Sequence, residues 1–319
     1  MIGLTLKHLR YFEALATHEH FGRAAEACAI TQPALSLQIK ELESMLGGAL
    51  VERSSRKVHL TTLGEDFVAR ARKILFDVDE LGDLVRASKD QFAGRLRLGV
   101  IPTVGPYLLA DTIKALTGRF PGLEIQPRES VTKSLIEDLH KSNLDAAIVA
   151  LPISEAALQE FSLFEEDFVL VRPIEDAERP VPTANKLKEM RLLLLEEGHC
   201  FRDQALTFCE MEKSSPRYLM EGSSLSTLVQ MVSAGMGLTL IPEMALPLET
   251  RSAQVAVARF PRPSPSRRVG MIWRKTNPLA EHLMQVGAIV RKVSQSRRDE
   301  IDATLKASDR TEAGRPLWN

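Results

Sequence analysis

Two cysteines close together in the chain are the residues best suited to chemistry. Cys200 and Cys209 lie in the segment GHCFRDQALTFC. Residues 196–198 (Glu-Glu-Gly) precede a predicted helix that starts near Cys200, and a helix dipole stabilises a thiolate in the first turn. Nearby cations such as His199 and Arg202 would stabilise it further. An accessible thiolate reacts with peroxide to give a sulfenic acid, which a second cysteine converts to a disulfide.

Other interpretations of the cysteine pair stay open. Free cysteines are often buried as small hydrophobic residues, so Cys200 and Cys209 could simply pack in a helix. Zinc is not favoured, because His199 and the two cysteines lack a fourth ligand at the usual spacing, and no metal is predicted. If residues 200–209 are helical, the cysteines are separated by a rise of about 13–14 Å. A disulfide needs Cα atoms roughly 4.4–6.8 Å apart, so the helix would have to unwind.

Composition limits the classes of protein to consider. The 319 residues, 44% of them hydrophobic, are enough for two or three domains. The net charge is −1, and residues 1–60 carry seven Lys and Arg against six Glu, so global charge does not indicate a nucleic-acid partner. There is no signal-peptide pattern and no long apolar window, which predicts a cytoplasmic protein without a membrane partner. Gly235 and Gly237 lie between a predicted helix and a strand, the reverse of a phosphate loop, and no cofactor is predicted.

The pattern of the larger part of the chain predicts an α/β fold. Strands are predicted over residues 95–101, 123–128, 144–151, 168–172, 192–195, 218–220, 238–241 and 269–273, with helices at 107–117 and 132–142. Such alternation favours largely parallel sheets, here in two Rossmann-like lobes around a cleft. The predicted segments are an N-terminal domain (1–60), a linker helix (61–89), a two-lobed domain (90–294) and a C-terminal tail (295–319).

Residues 5–60 predict short helices followed by a two-stranded hairpin. Leu35, Ile39, Leu42 and Leu46 fall on one face of a helix predicted over residues 32–46. The rest of this helix presents groups that can read base edges in a major groove. They are Gln32, Pro33, Ser36, Leu37 and Lys40, after Thr31 as the N-cap residue. Basic residues of the hairpin could hold phosphates: Arg53, Arg56 and Lys57. The alternative is an ordinary solvated helix and hairpin.

A long helix predicted from Thr62 carries a narrow apolar seam. The seam positions recur every three or four residues and are Leu63, Phe67, Ala71, Ile74, Val78, Leu81 and Val85. A seam sustained over about six turns, or roughly 35 Å, favours pairing with a second copy of the chain. Packing on its own domain is the alternative interpretation.

Three segments resemble the LysR family of bacterial transcription regulators. Residues 21–43 (FGRAAEACAITQPALSLQIKELE) resemble its helix-turn-helix, and residues 50–53 and 60–64 resemble its wing and the start of its linker helix. Residues 234–242 (AGMGLTLIP) resemble a run in its effector domain. The resemblance implies a winged helix-turn-helix, a dimerising linker helix and two effector lobes like those of periplasmic binding proteins. Cys28 matches a family cysteine and is interpreted as core packing.

Residues 198–209 and 101–109 (IPTVGPYLL) resemble the peroxide-sensing members of that family. The resemblance implies that Cys200 is the peroxidatic cysteine and Cys209 the resolving one. It also implies a peroxide pocket lined by Thr103, Thr132 and His199, with Arg268 favouring the thiolate.

The implied protein is a regulator of oxidative-stress genes and not an enzyme. Its implied partners are double-stranded promoter DNA, hydrogen peroxide as signal, RNA polymerase, and further copies of the chain in a homotetramer. The alternative is a LysR regulator gated by a small organic anion in the cleft between the lobes, which would not need the cysteine pair.

Overall fold

A computed structural model describes residues 3–53, 58–87, 94–209 and 220–308 of the chain. The chain divides into two compact units, Met1–Val85 and Arg86–Asn319. Across the described ranges, no helix is both long enough and apolar enough to span a membrane.

The first unit contains three short helices and a two-stranded wing, and the long helix begins in it. Its elements are α1 (Leu6–His18), α2 (Phe21–Ala27), α3 (Gln32–Leu46), β1 (Val51–Arg53), β2 (Val58–Leu60) and α4 (Thr62–Ala87). Strands β1 and β2 are antiparallel. Leu35, Ile39 and Leu42 of α3 are buried in one core with Phe12 and Leu15 of α1, which confirms the predicted inward face.

Two helix ends in this unit follow from local chemistry. Gly47 adopts a left-handed φ of 70° and ends α3 with its N–H on the Glu43 carbonyl. Thr31 is the N-cap residue of α3, as predicted, although its side chain makes no capping hydrogen bond. At the start of the preceding helix, α2, the His20 side chain caps the helix by accepting from the N–H groups of Gly22 and Arg23. The sequence did not suggest this function for His20.

The second unit is a mixed α/β structure. Its strands are β3 (Gly94–Val100), β4 (Leu123–Glu129), β5 (Ala146–Leu151), β6 (Leu158–Pro173), β7 (Leu192–Leu195), β8 (Met220–Gly222), β9 (Leu238–Pro242), β10 (Val255–Arg259) and β11 (Ser266–Arg274). Its helices are α5 (Gly105–Arg119), α6 (Thr132–His140), α7 (Ala184–Leu187), α8 (Cys200–Phe208), α9 (Leu225–Ser233), α10 (Leu246–Glu249) and α11 (Ala280–Ser308). Helix α11 runs without a break past residue 294, so the predicted C-terminal tail begins as a terminal helix, one of the two forms expected for it.

The strand order is β4-β3-β5-β11-β6-β9-β7-β8, with β10 also paired to β6. Strand β3 is parallel to β4 and β5, and β7 is parallel to β8 and β9. The expectation of largely parallel sheets is nevertheless wrong, because β6 and β11 run antiparallel to all their neighbours. Helix–strand alternation indicates parallel pairs only where a helix crosses over between them, and no crossover helix separates β5 from β6 or β10 from β11.

The long strand β6 connects two lobes. Its residues 158–167 pair with β11 in the first lobe, together with β3, β4 and β5. Its residues 168–173 pair with β9 and β10 in the second lobe. In each lobe, helices start where parallel strands end: α5 after β3, α6 after β4, and α8 after β7. Open α/β sheets bind ligands at such strand ends, so these helix starts define the candidate site.

Candidate functional site

Cys200 is the first residue of helix α8, as the sequence predicted. Gly198 before it has a left-handed φ of 97°, a conformation that glycine adopts without strain, and it turns the chain from β7 into the helix. His199 is the N-cap residue, and its side chain makes no capping hydrogen bond. The Cys200 side chain is therefore half-buried at the positive end of a nine-residue helix.

Arg267 of β11 connects the helix start to the first lobe. One guanidinium nitrogen donates to Thr103 Oγ1 at 2.7 Å, and another donates to the Thr103 carbonyl at 2.9 Å. The third donates to Glu166 of β6 at 2.8 Å. The guanidinium also stacks over the ring of Phe201, 5.5 Å from its centre. Because Phe201 follows Cys200 directly, Arg267 places Thr103 beside the first turn of α8.

The arginine beside the predicted pocket is therefore Arg267 and not Arg268, the residue assigned this position from the sequence. Arg268 is exposed and lies 3.9 Å from Glu165 across the β11–β6 pair. Successive residues of a strand point to opposite faces of the sheet, so only one of the two adjacent arginines can face Thr103. Sequence alone offers two neighbouring arginines, and only the register of β11 decides between them.

Thr132, a predicted pocket residue, begins helix α6 on the same side. A Cβ placed on Gly198 would lie 4.0 Å from Val131, so the start of α6 and the residues before Cys200 are close. The Oγ1 atom of Thr132 is buried, and no group in the described parts of the chain hydrogen-bonds to it. Gln204 of α8, one turn after Cys200, likewise has a buried Oε1 atom without such a partner. The sequence did not single out Gln204.

His199 is not the cation that the sequence suggested. Burial lowers the pKa of His199, although the negative charges of Glu196 and Glu129 act in the opposite direction. Arg202 is also engaged elsewhere: it is buried and bonds to Glu221 at 2.6 Å and to the Leu195 carbonyl at 2.9 Å. Next to the start of α8, the described residues supply positive charge through Arg267, whose guanidinium lies over the Phe201 ring, and through the helix dipole.

Cys209 ends helix α8 and is fully buried. Burial raises the pKa of the Cys209 thiol to about 11, so it is protonated at neutral pH. The preceding Phe208 packs edge-on against Phe260, with ring centres 5.2 Å apart. Both cysteines are reduced, with an intact helix between them, as the spacing argument requires.

Cys28 lies in the other unit, where it is half-buried against the helix-turn-helix core. Burial raises the pKa of Cys28, with a smaller contribution from Glu13. This environment agrees with the predicted packing role.

The recognition face predicted for α3 is open to solvent. Gln32, Pro33, Leu37 and Lys40 are exposed, and Ser36 is half-buried. Leu37 in particular exposes 56% of its surface. Of the predicted wing residues, Arg53 lies in β1, whereas Arg56 and Lys57 lie outside the described residues.

The residues of the apolar seam predicted on α4 lie in two different environments, one packed within their own unit and one exposed to solvent. Phe67 is half-buried and packs against Phe12 of its own unit, with ring centres 5.6 Å apart, and its place in a dimer seam stays a prediction. Further along, Ile74 and Leu81 are exposed and Val78 is half-buried. Leu63 at the start is exposed as well, and the side chain of Val85 lies outside the described residues.

A metal centre finds no support in the described residues, which contain no group of three His, Cys, Asp or Glu side chains placed to hold an ion.

Both units of the chain match known protein families. Residues 6–65 match the family described as bacterial regulatory helix-turn-helix protein, lysR family, and residues 89–295 match the LysR substrate binding domain. The chain is 41% identical over 293 residues to a "probable hydrogen peroxide-inducible genes activator" of Streptomyces viridosporus, covering 90% of this chain and 94% of the relative.

Two solved structures are similar along nearly the whole chain. A full-length OxyR variant from Pseudomonas aeruginosa superposes with a TM-score of 0.70 at 37% identity, covering 90% of this chain and 95% of that one. A hydrogen-peroxide-bound OxyR mutant from Corynebacterium glutamicum gives 0.66 at 33% identity, covering 94% and 95%. The helix-turn-helix, the two-lobed domain and the extent of these matches show that the chain belongs to the LysR family of transcriptional regulators, within its group of OxyR proteins.

Proposed function

We propose that this chain is a DNA-binding transcription regulator of oxidative-stress genes that hydrogen peroxide switches through Cys200 and Cys209. The observation that carries the proposal is the placement of Cys200 at the start of α8, with Cys209 buried at the other end of the same helix. The peroxide named in the relatives' descriptions supports the choice of oxidant.

The first chemical step is attack on peroxide. The Cys200 thiolate attacks one oxygen, the O–O bond breaks, and a sulfenic acid and hydroxide form; the hydroxide takes a proton to become water. The Cys209 thiol then attacks the sulfenic sulfur, the S–O bond breaks, and a second water leaves with the formation of the disulfide. Two thiols are oxidised and one peroxide is reduced.

Unsatisfied polar atoms favour a small neutral ligand beside Cys200. Thr132 Oγ1 and Gln204 Oε1 are buried acceptors without partners among the described residues, and such groups are normally satisfied by a ligand or water. Thr103 Oγ1 accepts from Arg267, which leaves its own hydrogen available for donation. Hydrogen peroxide has two O–H donors and two acceptor oxygens for these groups.

The charges of the site disfavour the alternative of an organic anion. Glu166 offsets the charge of Arg267 at 2.7 Å. The Glu129 carboxylate lies close to Gly105 at the start of α5 and acts on His199. A second anion next to Glu129 would be repelled, whereas neutral peroxide would not.

Disulfide formation must rearrange the second lobe. The helical span from Cys200 to Cys209 corresponds to about 13–14 Å, well beyond the roughly 4.4–6.8 Å that a disulfide allows. The helix therefore unwinds, and Cys209 and Phe208 leave the core. Packed interfaces switch between discrete arrangements, so this refolding can change how copies of the chain assemble on DNA.

In the proposed complex, α3 lies in the major groove of promoter DNA and reads bases through Gln32, Ser36 and Leu37, beside Thr31, Pro33 and Lys40. The wing residues Arg53, Arg56 and Lys57 hold phosphates. The exposed apolar residues of α4, Ile74 and Leu81 with Val78, pair two copies of the chain. Dimers join into a homotetramer that acts in the cytoplasm together with RNA polymerase.

The proposal is tested by measuring cysteine states and DNA contacts together. Purified protein is exposed briefly to peroxide, analysed by mass spectrometry, and footprinted on promoter DNA in both states. We expect a Cys200–Cys209 disulfide and an altered footprint in the wild type and in Cys28→Ser, a sulfenic acid in Cys209→Ser, and neither in Cys200→Ser. Peroxide-driven transcription that persists in Cys200→Ser would refute the proposal.

A further inference from the structure

We propose that Tyr107 and Glu249 form a latch between the lobes that positions Thr103 for the reaction of peroxide at Cys200. The inference rests on the proposed function and adds two positioning residues to it. The Tyr107 hydroxyl donates to Glu249 Oε1 at 2.6 Å. Tyr107 lies in the first turn of α5 in the first lobe, and Glu249 ends α10 in the second lobe.

The bond is shielded from water and therefore favours one fixed arrangement. Tyr107 is 6% exposed and Glu249 7% exposed. Burial and the bond to Glu249 raise the pKa of Tyr107, so the phenol keeps the proton that it donates. A buried carboxylate that loses such a donor loses much more than a surface group would.

The latch belongs to a closed circuit of buried bonds that includes Thr103. Thr103 accepts two bonds from Arg267, Arg267 donates to Glu166, and Glu166 accepts from the Met244 N–H at 3.1 Å. Met244 is five residues before Glu249 in the second lobe, and Glu249 bonds back to Tyr107.

A short, rigid backbone segment connects the Tyr107 end of this set of bonds to its Thr103 end. Tyr107 and Thr103 are joined by a tight turn in which the Ile101 carbonyl accepts from the N–H groups of Val104 and Gly105. If the latch opens, the first lobe can shift at the start of α5, and Thr103 moves with it relative to α8. Small displacements of a group that orients a reactant slow a reaction strongly.

The test measures the second-order rate constant for peroxide with full-length protein carrying Cys209→Ser, so that only sulfenic acid formation is observed. We expect Tyr107→Phe to slow this reaction about tenfold. The reaction of Cys200 with iodoacetamide, which needs no hydrogen bond from Thr103, should change less than about twofold. Glu249→Gln keeps an acceptor oxygen and should react with peroxide nearly as the parent does.

Thr112→Val is the matched control, because it removes another buried hydroxyl of α5 that has no partner among the described residues. It should leave both rates unchanged. In a Thr103→Val background, Tyr107→Phe should cause no further loss, since the latch acts through Thr103. If Tyr107→Phe does not fold, Glu249→Met removes the acceptor at similar volume and makes the same test.

An unchanged peroxide rate constant in Tyr107→Phe would overturn the latch. Equal slowing of the reactions with peroxide and with iodoacetamide would also overturn it. So would a further loss of peroxide rate when Tyr107→Phe is added to Thr103→Val. These results leave the proposed function intact. A parent protein whose Cys200 does not react with peroxide would overturn both.

Discussion

Replacing Phe208 with alanine should make the Cys200–Cys209 disulfide harder to reduce. In the reduced protein the Phe208 ring packs against Phe260 at 5.2 Å and an interplanar angle of 69°. An edge-to-face pair contributes about 0.5–1.5 kcal/mol beyond its area burial, and lost burial adds to this. Cys209 must leave the core to reach Cys200, so the packing of its neighbour Phe208 is present only in the reduced state.

The expected size follows from this difference between the two states. A loss of about 1.4 kcal/mol in the reduced state alone lowers the reduction potential of the disulfide by roughly 30 mV. The reduction potential of an unstrained disulfide lies below about −300 mV. A switch needs about 5.5 kcal/mol, which raises this potential by roughly 120 mV. The reduction potential of the parent disulfide is therefore expected at about −200 mV. Opening of the helix end should also become up to about tenfold more favourable, which shortens the lifetime of the sulfenic acid.

Redox titration against glutathione buffers, with thiols counted by mass spectrometry, measures the potential. Phe260→Ala should give the same shift, and the double variant should give little more than either single change, because each removes the same contact. Ile174→Ala, an exposed position of the second lobe, serves as control and should leave the potential unchanged. Potentials equal to that of the parent in both phenylalanine variants would refute the unwinding of this helix end.

The other predictions concern assembly, DNA and pH. Leu81→Lys places a charge in the exposed α4 seam and should dissociate the dimer in analytical ultracentrifugation; an unchanged mass would show that this surface is not the interface. Gln32→Ala should lose about 1–3 kcal/mol of binding at particular base pairs, whereas Arg53→Ala should weaken all sites alike and reduce the salt slope. Equal loss of specificity in both variants would contradict this division. Because the pKa of Cys209 is raised to about 11 from 9.0, its protonated form stabilises the fold fully below pH 9, and this contribution declines as pH rises through 11. Urea unfolding under reducing conditions should therefore show a steeper loss of stability between these values in the parent than in Cys209→Ala; parallel curves would contradict it.

Several features of the chain could be predicted from local patterns alone. The inward face of α3 follows from Leu35, Ile39 and Leu42, because a helix repeats every 3.6 residues and needs one apolar side. The start of α8 at Cys200 and the end of α3 at Gly47 follow from neighbouring residues, since helix ends are set by a few bonds near each terminus. The family likewise followed from contiguous motifs in the helix-turn-helix and the effector domain.

Other features depend on contacts between distant residues. Arg267 rather than Arg268 reaches Thr103 because the register of β11 on β6 turns one arginine inward and the next one outward. Phe67 packs against Phe12, 55 positions earlier in the chain, a contact that the spacing of the apolar residues could not identify. Tyr107 and Glu249 are 142 residues apart, and no local pattern links them. The sequence by itself thus determined the helix faces and ends, which depend on neighbours within a few residues. Tertiary structure decided which buried polar groups meet, because each needs a partner that only the packing of the two lobes brings within hydrogen-bond distance.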